Sequence, residues 1–154
     1  MSNHPQVPEA QLDSTVRDAI ARTLAVVGLA GVALIHVLDA HDTFVSSQYK
    51  GWLYVGLIAG CVVAGAMLVR RSDTRAWAAS LLLPLGAFVA FIYSRTVGLP
   101  GGADDIGNWW EPLGLSSLFV EGALVALAAN VLVERAALDL RFARQRPALQ
   151  RSLS

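Results

Sequence analysis

The chain has one cysteine, one lysine, few charges and no net charge, and each scarcity removes a class of function. Cys61 stands alone inside an apolar run, so no intramolecular disulfide and no CxxC pair can form. The dithiol chemistry of some small four-helix membrane oxidoreductases is thereby excluded. Only 16% of the 154 residues are charged, where a soluble domain carries about a quarter. Twelve basic and twelve acidic residues cancel, so the basic excess of a nucleic-acid binder is missing. Internal repeats and low-complexity stretches are also absent. Lys50 is the sole lysine among arginines, and alanine, leucine and valine dominate. Together these point to a GC-rich bacterial genome.

What the chain does have is apolar length. It is 55% hydrophobic with a mean hydropathy of +0.50, and the apolar residues gather in four runs, 19–40, 52–69, 76–93 and 115–133. A helix crossing a hydrocarbon core of roughly 30 Å needs about 20 such residues. The expected fold is all-α: an integral membrane bundle of four antiparallel helices. A polar tail, 1–18, precedes it, and a basic tail, 134–154, follows. Arg17 and Arg22 before the first run resemble the start of a secretory signal. The run is longer than a signal's apolar region and no small-x-small site follows it, so a retained helix is expected.

Charge distribution sets the expected orientation. Arg17, Arg22, Arg70, Arg71, Arg75, Arg135, Arg141, Arg144, Arg146 and Arg151 flank one side of the four runs, against Lys50 and Arg95 on the other. Lys and Arg accumulate on cytoplasmic flanks, which predicts a multi-pass plasma-membrane protein with both termini in the cytoplasm. The segment from Arg70 to Arg75 is so short that helices two and three must form a tight hairpin. Gly56 and Gly60, extended by Ala64, form a GxxxG row that predicts a close helix contact inside the bundle, in preference to a homodimer face. Pro84 followed by Gly86 predicts a bend in helix three.

Polar residues at membrane depth collect near the side opposite the arginines. His36, Asp39, His41 and Asp42 form His-x-x-Asp-x-His-Asp at the end of the first run, with His36 and Asp39 on one helical face. Glu121, the deepest acid, shares a face with Ser117 and Gly114. Arg95 closes the third run, and the loop after it brings Asp104, Asp105 and Glu111. Ionisable groups inside a bilayer are costly unless paired, which makes this set the candidate site.

Three readings of it compete. The first is interhelical glue, with Arg95 reaching down to Glu121 or Asp39. In the second, His36, Asp39, His41 and Glu121 hold a transition metal, since imidazole and carboxylate are suitable ligands. The third has His36, Asp39, Arg95 and Glu121 bind a small ligand or move protons. A full transport path would need polar groups in the other half, where Asn130 stands alone. The loop 98–114, with Gly98-Leu-Pro-Gly-Gly102 and the pair Trp109-Trp110, reads as an interfacial anchor or as a lid over that cluster. The basic tail reads as a lipid-attracting segment.

No nucleophile, cofactor fingerprint or complete ligand set appears, which argues against an enzyme and leaves any cofactor unassigned. The function expected is that of a non-enzymatic accessory or assembly component of the membrane, with a metal-binding or small-ligand protein as the alternative. Its expected partners are the lipid bilayer and either another membrane protein or a second copy of itself. Nucleic acid is not among them.

Overall fold

The computed structural model describes residues 9–100, 102 and 105–152, with side chains at all of these except 9–11, 142 and 144–152. Asp104 and the residues before Glu9 lie outside the described residues, as do the side chains of Arg144, Arg146 and Arg151. Four helices make up the described chain, with no strand among them: α1 Glu9–Ser46, α2 Gln48–Arg70, α3 Thr74–Thr96 and α4 Pro112–Ser152. All four are long and apolar enough to span a membrane. This is the make-up of a multi-pass membrane protein.

Each apolar run lies inside a longer helix. α1 holds 38 residues, about 57 Å at a rise of roughly 1.5 Å per residue, nearly twice a hydrocarbon core. Helical hydrogen bonding continues through polar residues, so α1 begins ahead of its apolar run and α4 carries on through the basic segment. A single residue, Ser47, separates α1 from α2. Residues 71–73 separate α2 from α3, where Asp73 caps α3 by accepting from the Ala76 N–H at 2.9 Å. Only the α3–α4 connection, 97–111, is long. α3 stays helical through the buried Pro84, which leaves the Ser80 carbonyl without its helical donor. The Ser80 hydroxyl turns the other way and donates to the Ala76 carbonyl at 2.8 Å.

The bundle interior is rich in small side chains. Ala25, Cys61, Ala64, Ala76 and Ala128 are buried with Leu29, Val32, Leu68, Trp77 and Leu124, while Val27, Leu34, Val62, Leu82, Phe119 and Val133 point outward. Large apolar residues outside, and an interior half of whose core is alanine or cysteine, suit a lipid surround, where helices gain by close approach. The GxxxG row is only half used for that purpose. A Cβ on Gly60 would come within 2.8 Å of the Leu83 side chain on α3, so this glycine makes the close contact expected of it. Gly56 does not: a Cβ there would meet nothing within 4 Å. It borders a cavity.

The two ends of the bundle differ. At the arginine end, Arg135 of α4 donates to the Ser72 carbonyl at 2.7 Å, to the Ser72 hydroxyl at 3.1 Å and to Asp18 of α1 at 3.3 Å. Its guanidinium also lies 5.7 Å from the ring centroid of Trp77, whose Nε1 donates to Ser72 Oγ at 3.0 Å. Arg22 completes this clasp by pairing with Asp18. The other end, which carries Ser47 and the long loop, is open.

Candidate functional site

A cavity of about 640 Å³ occupies the loop end. Its polar lining comes from all four helices: His36, Asp39, Asp42, Thr43 and Ser46 from α1, Lys50 and Tyr54 from α2, Ser94 and Arg95 from α3, and Ser117 from α4. Its apolar wall runs along Leu53 and Leu57 of α2 and Leu82, Ala87 and Ala90 of α3, with Gly56 and Gly86 also lining it. Like Gly56, Gly86 would place a Cβ in open space. Both glycines therefore hold volume open where any side chain would take it.

The polar part divides into two groups. In the first, the buried His36 ring sends Nδ1 to the Val32 carbonyl at 2.9 Å. A carbonyl only accepts, so Nδ1 carries the proton and Nε2 faces Glu121 Oε1, 3.9 Å away. Glu121 is 1% exposed. Its Oε1 accepts from Ser117 Oγ at 2.6 Å, and its Oε2 has no hydrogen-bond partner among the described residues. The His36 ring also meets Tyr54 edge to face at 4.6 Å. Tyr54 donates its hydroxyl to Asp39 Oδ2 at 3.0 Å, and Thr43 donates to the same oxygen at 3.2 Å.

Arg95 centres the second group. Although it is 7% exposed, it reaches neither Glu121 nor Asp39. The long loop folds back over the end of α3 and supplies its partners: Asp105 Oδ1 at 3.1 Å, and Glu111. Phe91 lies beneath the guanidinium, with 4.8 Å from its ring centroid to Arg95 Cζ. Lys50, at the start of α2, pairs with Asp105 Oδ2 at 2.9 Å, and the Tyr49 hydroxyl donates to the Pro100 carbonyl at 2.8 Å. A backbone bond from Gly107 N to the Arg95 carbonyl, 2.9 Å, fixes the return of the loop. Burial opposes ionisation of Asp105, but the hydrogen bonds and charges of Lys50 and Arg95 outweigh it and hold the carboxyl below its ordinary value. Loop residues Leu99, Asp105 and Glu111 thus roof the cavity, while Trp110, 86% exposed, points away from it.

Of the residues expected to act together, His36, Asp39 and Arg95 line the cavity and Glu121 sits behind its wall, touching His36 and Ser117. His41 does not join them. It lies on the far side of α1, beside Asp42 at 3.1 Å, with both side chains almost fully exposed. Among the described residues, no group of three or more His, Cys, Asp or Glu is placed to hold a metal ion. Several lining residues were absent from the expected set, Thr43 and Tyr54 among them. Thr43 follows His36 by seven residues and so shares its helical face; Tyr54 gave only the signal of an interfacial aromatic. No family model matches the chain, and neither a curated protein nor a solved structure matches it.

Proposed function

We propose that this protein is a small multi-pass plasma-membrane protein, with both termini cytoplasmic, that binds a small amphiphilic ligand in the cavity at its outward-facing loop end. The observation behind this reading is the cavity itself. Polar residues that serve only to glue helices need direct contact, and a void of about 640 Å³ between them works against that purpose. Ligand sites combine a mostly apolar wall with a few convergent polar groups. Here the wall is the α2–α3 slot and the polar groups are His36, Asp39, Tyr54, Arg95 and Ser117. The accessory or assembly role expected from composition has no feature of comparable definition behind it. Orientation rests on the arginine excess at the opposite end.

The test is to fill the slot. Protein extracted directly into lipid nanodiscs is stripped of lipid, and its bound small molecules are measured by mass spectrometry beside a Gly56→Leu, Gly86→Leu double variant. A near-stoichiometric amphiphile carried by the wild type and absent from the double variant is expected. The same extractable molecules in both would return the accessory role to first place. Orientation is read separately, in a Cys61→Ser background carrying either Asp42→Cys or Glu134→Cys. A membrane-impermeant maleimide added to intact spheroplasts labels the first and not the second.

A further inference from the structure

Building on the reading of the cavity as a ligand site, we infer that its ligand is an organic cation with an apolar body, and that Asp39 is the counter-ion. The argument begins with a count of charges at the loop end. Among the described residues its polar rim carries four carboxylates, Asp39, Asp42, Asp105 and Glu111, and two cations, Lys50 and Arg95. Both cations are committed: Lys50 to Asp105, Arg95 to Asp105 and Glu111. That cluster is self-compensated, and it holds the roof.

Asp39 is left over, and it lines the cavity. Its two hydrogen bonds come from neutral hydroxyls, Tyr54 and Thr43, and both fall on Oδ2. No ion pair engages it among the described residues. His36, one turn earlier, is turned elsewhere, with Nδ1 on the Val32 carbonyl and Nε2 toward Glu121. A carboxylate held by two neutral donors, with no ion pair among the described residues, is half of an ion pair. A positively charged ligand supplies the other half, and beside a partly buried carboxylate the attraction is stronger than in bulk solution.

The surroundings of Asp39 describe the rest of the ligand. The ring that donates to it, Tyr54, also lines the cavity, so an aromatic group and a carboxylate are presented together. That is the combination on which quaternary and protonated amines are recognised. Beyond it the cavity wall that includes Gly56 and Gly86 is apolar and leaves room at both glycines, which suits an aromatic or alkyl body. A head at Asp39 with a body in the slot lies along the cavity.

The discriminating experiment uses phenyltrimethylammonium and its neutral isostere tert-butylbenzene, which match in shape and differ in charge. Each is titrated calorimetrically into the protein in phosphatidylcholine nanodiscs, with empty nanodiscs subtracted. The wild type is expected to bind the cation about tenfold or more tightly than the isostere. In Asp39→Asn the amide oxygen still accepts from Tyr54 and Thr43, and an unchanged melting temperature serves as the check on folding. This variant should bind both probes with similar affinity, close to that of the wild type for tert-butylbenzene. The Gly56→Leu, Gly86→Leu variant should bind neither. Equal affinities in the wild type, or a cation preference that survives Asp39→Asn, would overturn the assignment of ligand class while leaving the cavity as a ligand site. Binding of neither probe to the wild type above the filled variant would remove the cavity reading and the inference with it.

Discussion

The arginine end and the loop end of this bundle are built from similar side chains and come to opposite results. At the arginine end one guanidinium, Arg135, ties three parts of the chain together through Ser72 and Asp18 and lies against Trp77, which is fully buried. At the loop end another guanidinium, Arg95, is more deeply buried, yet its partners come from the long loop and not from the facing helices. Its charges close a roof over a hollow. An arginine that bridges helices seals the bundle, whereas one that bridges a helix to a loop can leave the helices apart.

If the arginine end is the stabilising half, the largest loss should follow damage to its centre. Trp77→Ala empties a fully buried site and removes one of the two donors to the Ser72 hydroxyl, and should cost about 3 kcal/mol or more of stability. Denaturant-induced unfolding in detergent would measure it. A smaller effect is expected from Arg135→Ala, about 1–2 kcal/mol, because the lost hydrogen bonds lie at a partly exposed site. An equal or greater loss from Arg95→Ala would break the comparison, because the loop end would then be carrying the fold.

The smallest effect belongs to Asp105 and shows itself through pH. Its carboxyl ionises more readily in the folded protein than at its ordinary value of 3.8, so its ionised form favours folding. That contribution is complete above the ordinary value and disappears as pH falls from there through the lower folded value. Because Asp105 is more than a third exposed, screening limits the effect to well under about 1 kcal/mol. Thermal melts of the wild type and Asp105→Asn should therefore differ slightly at pH 6 and converge as the pH is lowered toward 3. A difference that grows on acidification would reverse the assigned sign.

Much of the fold was legible because membrane-spanning character is local. Four apolar runs, the hairpin at Arg70–Arg75 and the segregation of arginines can each be read without knowing which helix touches which. The extent of α1 and α4 was less visible, since a polar segment carries no hydropathy signal whether it is helical or not. The face shared by His36, Asp39 and Thr43 follows from helical spacing. So does the exclusion of His41: at roughly 100° per residue it sits about 140° around α1 from His36. The pairing of Glu121 with Ser117 follows from the i, i+4 rule. The partners of Arg95 did not follow from any such rule. Several acids lie within its reach along the chain, and the choice among them depends on a loop that folds back through Gly107.

By itself, then, the sequence determined the number of spans, the charged character of each end and the helical face that carries each polar group, because hydropathy and a fixed helical period act residue by residue. Only the tertiary structure decided that Gly60 packs tightly while Gly56 opens onto a void, that Arg95 holds a roof, and that Asp39 takes its hydrogen bonds from Tyr54 and Thr43. Those outcomes depend on distances between helices, which the sequence of a single helix does not encode.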